Sequence, residues 1–149
     1  MRAAPAPPLP GARPRTVLVP AALAWLAVLL YMGFIFYLSA QSDPLPILTK
    51  HVWDKLLHSI EYGTLGLLLA LALRASGASE GTALLLAAAF ASLYGASDEV
   101  HQAFVPLRDC DIHDWMADTL GGALGATALT VVLRLKRARA SIGRARPGG

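Results

Sequence analysis

Four apolar runs, each close to twenty residues long, constrain this chain more than any motif in it: residues 17–38, 56–74, 82–105 and 115–133. A helix rises about 1.5 Å per residue, so roughly 20 residues cross the 30 Å of hydrocarbon in a bilayer. Buried helices of a soluble bundle would need polar outer faces, which these runs lack over most of their length. The 55% hydrophobic to 15% charged balance agrees with the membrane alternative. The fold class expected is therefore an all-α membrane protein with four transmembrane helices. Arg2, Arg13 and Arg15 ahead of the first run, with Leu38-Ser39-Ala40 after it, loosely resemble a signal peptide. The run of 22 residues outlasts an h-region of about 7–15, so it is expected to stay as a helix. The chain then divides into a disordered basic N-terminal tail (1–16), a four-helix transmembrane domain (17–133) and a basic C-terminal tail (134–149).

Orientation follows from where the charges fall. Ten of the thirteen Lys and Arg lie in the tails or beside the 75–81 loop: Arg2, Arg13, Arg15, Arg74, Arg134, Lys136, Arg137, Arg139, Arg144 and Arg146. Cationic loops stay inside, which places both termini in the cytoplasm. The other side receives nine of the ten acids, all but Glu80, and the histidines His51, His58, His101 and His113. The basic tails read as topology signals and contacts to anionic membrane lipids, and no nucleic acid is expected as a partner. One cysteine, Cys110, excludes an intramolecular disulfide.

Acids also reach into the apolar runs. With the second helix starting near Lys55, Glu61 lies about 9 Å below its end; Asp98 lies about 24 Å along a helix starting at Thr82. Asp118 is similarly submerged. Asp54, His58 and Glu61, with Tyr62 beside them, keep one stripe at i, i+4, i+7, and Asp98, His101 and Gln102 repeat the pattern at i, i+3, i+4. Asp111, Asp114 and Asp118 make a third stripe. An ionisable group facing lipid costs about 2.5–3.5 kcal/mol at the bilayer centre, so the three stripes are expected to turn inward around a shared cavity open to the extracytoplasmic side. Small residues support close packing: Gly121 and Gly125; Ser59, Gly63 and Gly66; Ala87, Ala91 and Gly95. Segment 43–50 is a candidate cover for the cavity.

Several chemistries fit such a cavity. His58 with Glu61 and Asp98 with His101 offer four ligands for a divalent metal, the only cofactor the residues point to; a hydrogen-bonded network that fixes helix register uses the same atoms. General acid-base work is equally available. Arg108 either neutralises acids or captures an anion by bidentate bonds. Cys110 beside His101 or His113 has the elements of a nucleophile with its base, and an incidental interfacial cysteine looks the same. No phosphate-binding Gly-rich loop or nucleophile elbow occurs. Four helices without an internal repeat do not favour transport by a single chain.

FYLSAQSDP, DKLLHSIEYGTLGLLL and DEVHQAFVPLRDCDIHDWMADTLGGALG together resemble the VanZ-like family of small bacterial membrane proteins over about residues 36–125. The matching positions are Lys55, His58, Glu61, Tyr62, Asp98, Glu99, His101, Gln102, Phe104, Pro106, Arg108, Asp111, Asp114, Gly121 and Gly125. Two positions depart from the pattern. Leu107 stands where the family usually has Gly, in the turn that presents Arg108, and Asp118 stands where it usually has Asn. The resemblance implies a multi-pass protein of the bacterial cytoplasmic membrane, related to one that lowers susceptibility to the glycopeptide teicoplanin. The function expected is a polar cavity that binds or modifies an anionic envelope component: a lipid headgroup, a lipid-linked cell-wall intermediate or the antibiotic. The set carrying it is Lys55, His58, Glu61, Tyr62, Asp98, Glu99, His101, Gln102, Arg108, Asp111, Asp114 and Asp118. The rivals are a metal-dependent membrane hydrolase or transferase and a non-catalytic accessory subunit; the residues fix neither enzyme status nor oligomeric state.

Overall fold

The computed structural model describes residues 19–42 and 54–145; segments 1–16 and 43–50, read above as tail and cover, lie outside the described residues, as does His51. Four helices follow in order: α1 (Ala21–Ser39), α2 (Asp54–Ala75), α3 (Glu80–Gln102) and α4 (Ile112–Ala145). All four are long and apolar enough to cross a membrane, and no strand occurs among the described residues.

Side-chain contacts fix the helix directions. The Trp25 indole near the start of α1 donates to Ser76 Oγ beyond the end of α2 (3.0 Å). The Tyr31 hydroxyl donates to the Glu61 carbonyl (3.2 Å) and the Tyr94 hydroxyl to that of Met32 (2.8 Å), strapping α1 to α2 and α3. The Ser59 hydroxyl donates to the Ala117 carbonyl (3.2 Å), and the start of α2 lies beside the start of α4. The chain thus runs up, down, up and down, with α2 and α4 parallel. One end gathers Ser39, the starts of α2 and α4, and the 103–111 loop. The opposite end holds the 76–79 turn and the pairing of Glu80 with Arg134 and Arg137.

Local signals explain the boundaries. After α2, Gly77 takes φ +93° and the Ala78 amide reaches back to the Leu73 carbonyl (3.0 Å), a Schellman closure that needs a residue without Cβ. The Ser79 hydroxyl caps α3 by accepting from the Thr82 amide (3.1 Å). α3 ends at Gln102, three residues before the expected limit: the Phe104 and Val105 amides turn to the carbonyls of residues 101 and 102, and Pro106 follows. α4 runs well past 133, because Arg, Lys, Leu and Ala in 134–145 are strong helix formers whether or not lipid surrounds them. Its 34 residues span about 51 Å, some 20 Å more than the hydrocarbon requires.

Packing is tightest between α2 and α4. A Cβ added at Gly66 would stand 2.8 Å from Gly122 Cα, one at Gly121 2.8 Å from Ser59 Cα, and one at Gly125 2.7 Å from the Gly63 carbonyl carbon. The small residues singled out in the sequence therefore meet each other, backbone on backbone. Ala91 of α3 lies against Gly122 from the other side. α1 contributes a narrower stripe, Ala24, Val28, Ile35 and Ser39, and leaves Leu23, Leu29 and Leu30 more than half exposed, as a lipid-facing helix does.

Candidate functional site

The end that gathers the starts of α2 and α4 is polar, and it is organised as three linked groups. In the first, Lys55 Nζ donates to Asp111 Oδ2 (2.9 Å) and Asp114 Oδ1 (2.6 Å), joining the first turn of α2 to that of α4. Lys55, with the His113 amide and ring, holds the Asp111 carboxyl well below its ordinary range. In the second, His58 Nδ1 and Asp118 Oδ1 lie 2.9 Å apart, both side chains buried. In the third, the Gln102 amide nitrogen donates to Asp98 Oδ2 (3.1 Å) while its oxygen accepts from Arg108 Nε (3.2 Å) and Nη2 (2.8 Å). The Asp111 amide donates to Glu99 Oε2 (2.8 Å) and ties the loop back onto α3.

A cleft opens at this end, lined by Ser39, Asp54, His58, Glu61, Asp98 and Arg108 among polar residues, with Ile35, Leu38 and Leu57 as apolar wall. Its volume of about 40 Å³ is room for about three water molecules or one group of that size. Ser39 was not among the site residues read from the sequence. Its signal was the polar break FYLSAQS at the end of α1, where a serine is buried rather than solvated.

Not every expected residue reaches the cleft. Tyr62 is fully buried beside Tyr94, ring centroids 6.3 Å apart, and belongs to the core. His101 lies on Phe36 of α1, centroids 4.7 Å apart, and is not among the residues lining the cleft. Of the four metal candidates of the sequence, His58, Glu61 and Asp98 line the cleft together, but only His58 stands in the ligand-like clusters among the described residues, Asp54–His58–Asp114 and His58–Glu99–Asp118. Cys110 is exposed, and no contact to either neighbouring histidine is among the hydrogen bonds of the described residues.

Leu107 has φ +66° and is 92% exposed. It occupies the left-handed conformation that glycine enters without a Cβ clash, at a cost of about 1–2 kcal/mol for an L side chain. The turn presenting Arg108 is thus made despite the leucine, held by the Arg108 amide to the Val105 carbonyl (3.2 Å). Leu107→Gly is expected to leave the thermal midpoint in detergent unchanged or raise it, because relief of that strain offsets the greater unfolded-state entropy of glycine, about 1 kcal/mol. A fall of several degrees in differential scanning fluorimetry would show that the exposed leucine makes a contact of its own.

The arrangement can bind a small charged group, hold or move protons between neighbouring carboxylates and histidine, and ligate a cation. Comparison with curated proteins and with solved structures finds no significant match. The VanZ/LLP1 family model matches residues 18–134, which takes in the four membrane-crossing helices up to the basic extension of α4 and every residue of the polar end described above. This four-helix multi-pass membrane protein, with its layer of acids and histidine at one end, belongs to the VanZ/LLP1 family.

Proposed function

We propose that the cleft binds the anionic headgroup of an envelope lipid, presented on the extracytoplasmic side. The observation that carries this reading is Arg108. Its Nε and Nη2 are bonded to the neutral Gln102 amide oxygen, and among the described residues it forms no ion pair. A guanidinium has five N–H donors, so donors remain for an anion at the cleft it lines. The size of the cleft favours a phosphate or carboxylate over a whole glycopeptide. An effect on glycopeptide susceptibility would then be indirect, through the lipids or lipid-linked intermediates of the wall.

A second space supports a lipid over a soluble anion. Directly along the same three helices lies an apolar groove of about 390 Å³, lined by Trp25, Val28, Met32, Leu65, Phe90 and Leu93 among others. Ser97 lines the groove and Asp98 the cleft; Leu65 is one turn beyond Glu61. A polar pocket with an apolar groove farther along the same helices matches a headgroup and its chain. The basic extension of α4 supports the orientation, since Arg134, Lys136, Arg137 and Arg139 lie at the far end of the bundle from the cleft.

The test is a titration of detergent-purified protein, followed by native mass spectrometry, with phosphatidic acid, phosphatidylcholine of the same chains, and glycerol 3-phosphate. Phosphatidic acid is expected to bind at least about tenfold tighter than either of the others, a difference of about 1.4 kcal/mol. Equal binding of the zwitterionic lipid would refute a headgroup site, and equal binding of glycerol 3-phosphate would refute the role of the groove.

A further inference from the structure

We infer that His58, Glu99 and Asp118 hold a divalent cation between α2, α3 and α4, behind the cleft. Each offers one ligand atom, and the three atoms lie within 4.8 Å of one another. Ligands of a tetrahedral ion with bonds of about 2.1 Å stand about 3.4 Å apart, so the three side chains must draw together by up to about 1.4 Å to close the set. All three side chains are buried: His58 is 6% exposed, Glu99 3% and Asp118 0%.

Two oxygens in this cluster ask for a partner. Asp118 Oδ2 and Glu99 Oε1 are each fully buried with no hydrogen bond among the described residues. Buried carboxylate oxygens left bare are costly, and the nearby cations are engaged elsewhere. Lys55 is committed to Asp111 and Asp114, and Arg108 lines the cleft and not this cluster. A divalent ion balances two carboxylates, and the neutral imidazole completes a mixed nitrogen and oxygen set suited to Zn²⁺ or Mn²⁺. The space is kept by a glycine: a Cβ at Gly95, one turn before Glu99 on α3, would stand 2.9 Å from Asp118 Oδ2.

The overlapping cluster Asp54–His58–Asp114 is the weaker candidate. Asp54 is exposed, and Asp114 already receives the Lys55 ammonium at 2.6 Å. Three protein ligands leave a four-coordinate ion one position short, and His58 lines the cleft as well as the cluster. The ion thus adjoins the headgroup site, but the inference stands whether or not a lipid binds there.

The experiment compares wild type, Asp118→Asn, Glu99→Gln and, as a surface control, His113→Ala, each purified in detergent and stripped with chelator. Zn²⁺ or Mn²⁺ alone is added back, excess is removed, and metal content is measured by elemental mass spectrometry alongside the melting temperature. Wild type and His113→Ala are expected to retain about one ion per chain and to gain several degrees, as ligand linkage requires. Asp118→Asn and Glu99→Gln should retain almost none and gain nothing, while the stripped variants melt at or above the stripped wild type, because each amide makes neutral a side chain whose one buried oxygen has no hydrogen bond. Stripped wild type that takes up neither ion overturns the inference whatever the variants do. So does undiminished uptake by both amide variants. A cluster that is only a packing network would show a third pattern, no uptake and amide variants that melt lower, which also overturns it.

Discussion

Gly125→Ala unfolds the bundle at a far lower temperature than wild type, while Gly33→Ala melts like wild type or slightly higher: this is the largest stability contrast expected from the structure. The methyl at 125 would stand 2.7 Å from the Gly63 carbonyl carbon and closer still to its oxygen. The neighbour is backbone of α2, which has no rotamer to change. Overpacking costs about 1–3 kcal/mol where side chains can yield, and more where, as here, two helices must separate. Separation also opens the contacts at Gly66 and Gly121 in the same seam. At Gly33 nothing lies within 4 Å, and alanine is the better helix former by up to about 1 kcal/mol. Thermal unfolding in one detergent, with both variants side by side, checks the pair. Equal melting of the two would mean that α2 and α4 do not meet through their backbones.

Arg108→Ala should weaken binding of phosphatidic acid by about ten- to a hundredfold and leave the melting temperature close to wild type. A charge-assisted hydrogen bond contributes about 1.5–3 kcal/mol, which is that range of affinity. The fold should tolerate the loss, because Arg108 bonds a single neutral amide and is only partly buried. Arg108→Lys should recover part of the affinity, since it restores the charge without the planar pair of donors. The readout is the same lipid titration, with phosphatidylcholine as the background level. If Arg108→Ala loses stability instead and keeps its preference for the anionic lipid, Arg108 is a strut for Gln102 and the headgroup reading fails.

Much of the architecture is legible in the residues because a bilayer imposes its own ruler. Length and hydropathy located the four helices to within a few residues at most ends, and the glycines at 63, 66, 121 and 125 marked the seam before any coordinates. The exception is α4. Its membrane run stops where Arg134 begins, but charge ends a membrane span without ending a helix, and Arg, Ala, Leu and Lys keep the backbone coiled to Ala145.

The site was legible as a set and not as a wiring. Period alone placed acids and histidines on inward stripes, but it does not set the rotation of one helix against its neighbours. Asp98 and Glu99 are adjacent, about 100° apart on α3, and either could have faced α4. Gly95 decides: it lets Asp118 come close on the face it shares with Glu99, and Asp98 is left to Gln102 and the cleft. The same phase turns His101 onto Phe36, and the rotation of α2 sets Tyr62 in the core. Lys55 bridging two aspartates from the other end of the sequence has no local signal at all.

The parallel course of α2 and α4 has an electrical consequence. Their N-termini meet at the polar end, each carrying about half a positive charge from its aligned peptides, while α1 and α3 end there with about half a negative one. Most side chains sort to match: Asp54, Asp111 and Asp114 sit at the starts of α2 and α4, and His101 and Arg108 at and beyond the end of α3. Asp98 and Glu99 run against the sorting, acids in the last turns of α3. Each is held by a single donor from a neighbour, the Gln102 amide for one and the Asp111 backbone for the other. They are the two carboxylates on which the helix field bears against the charge.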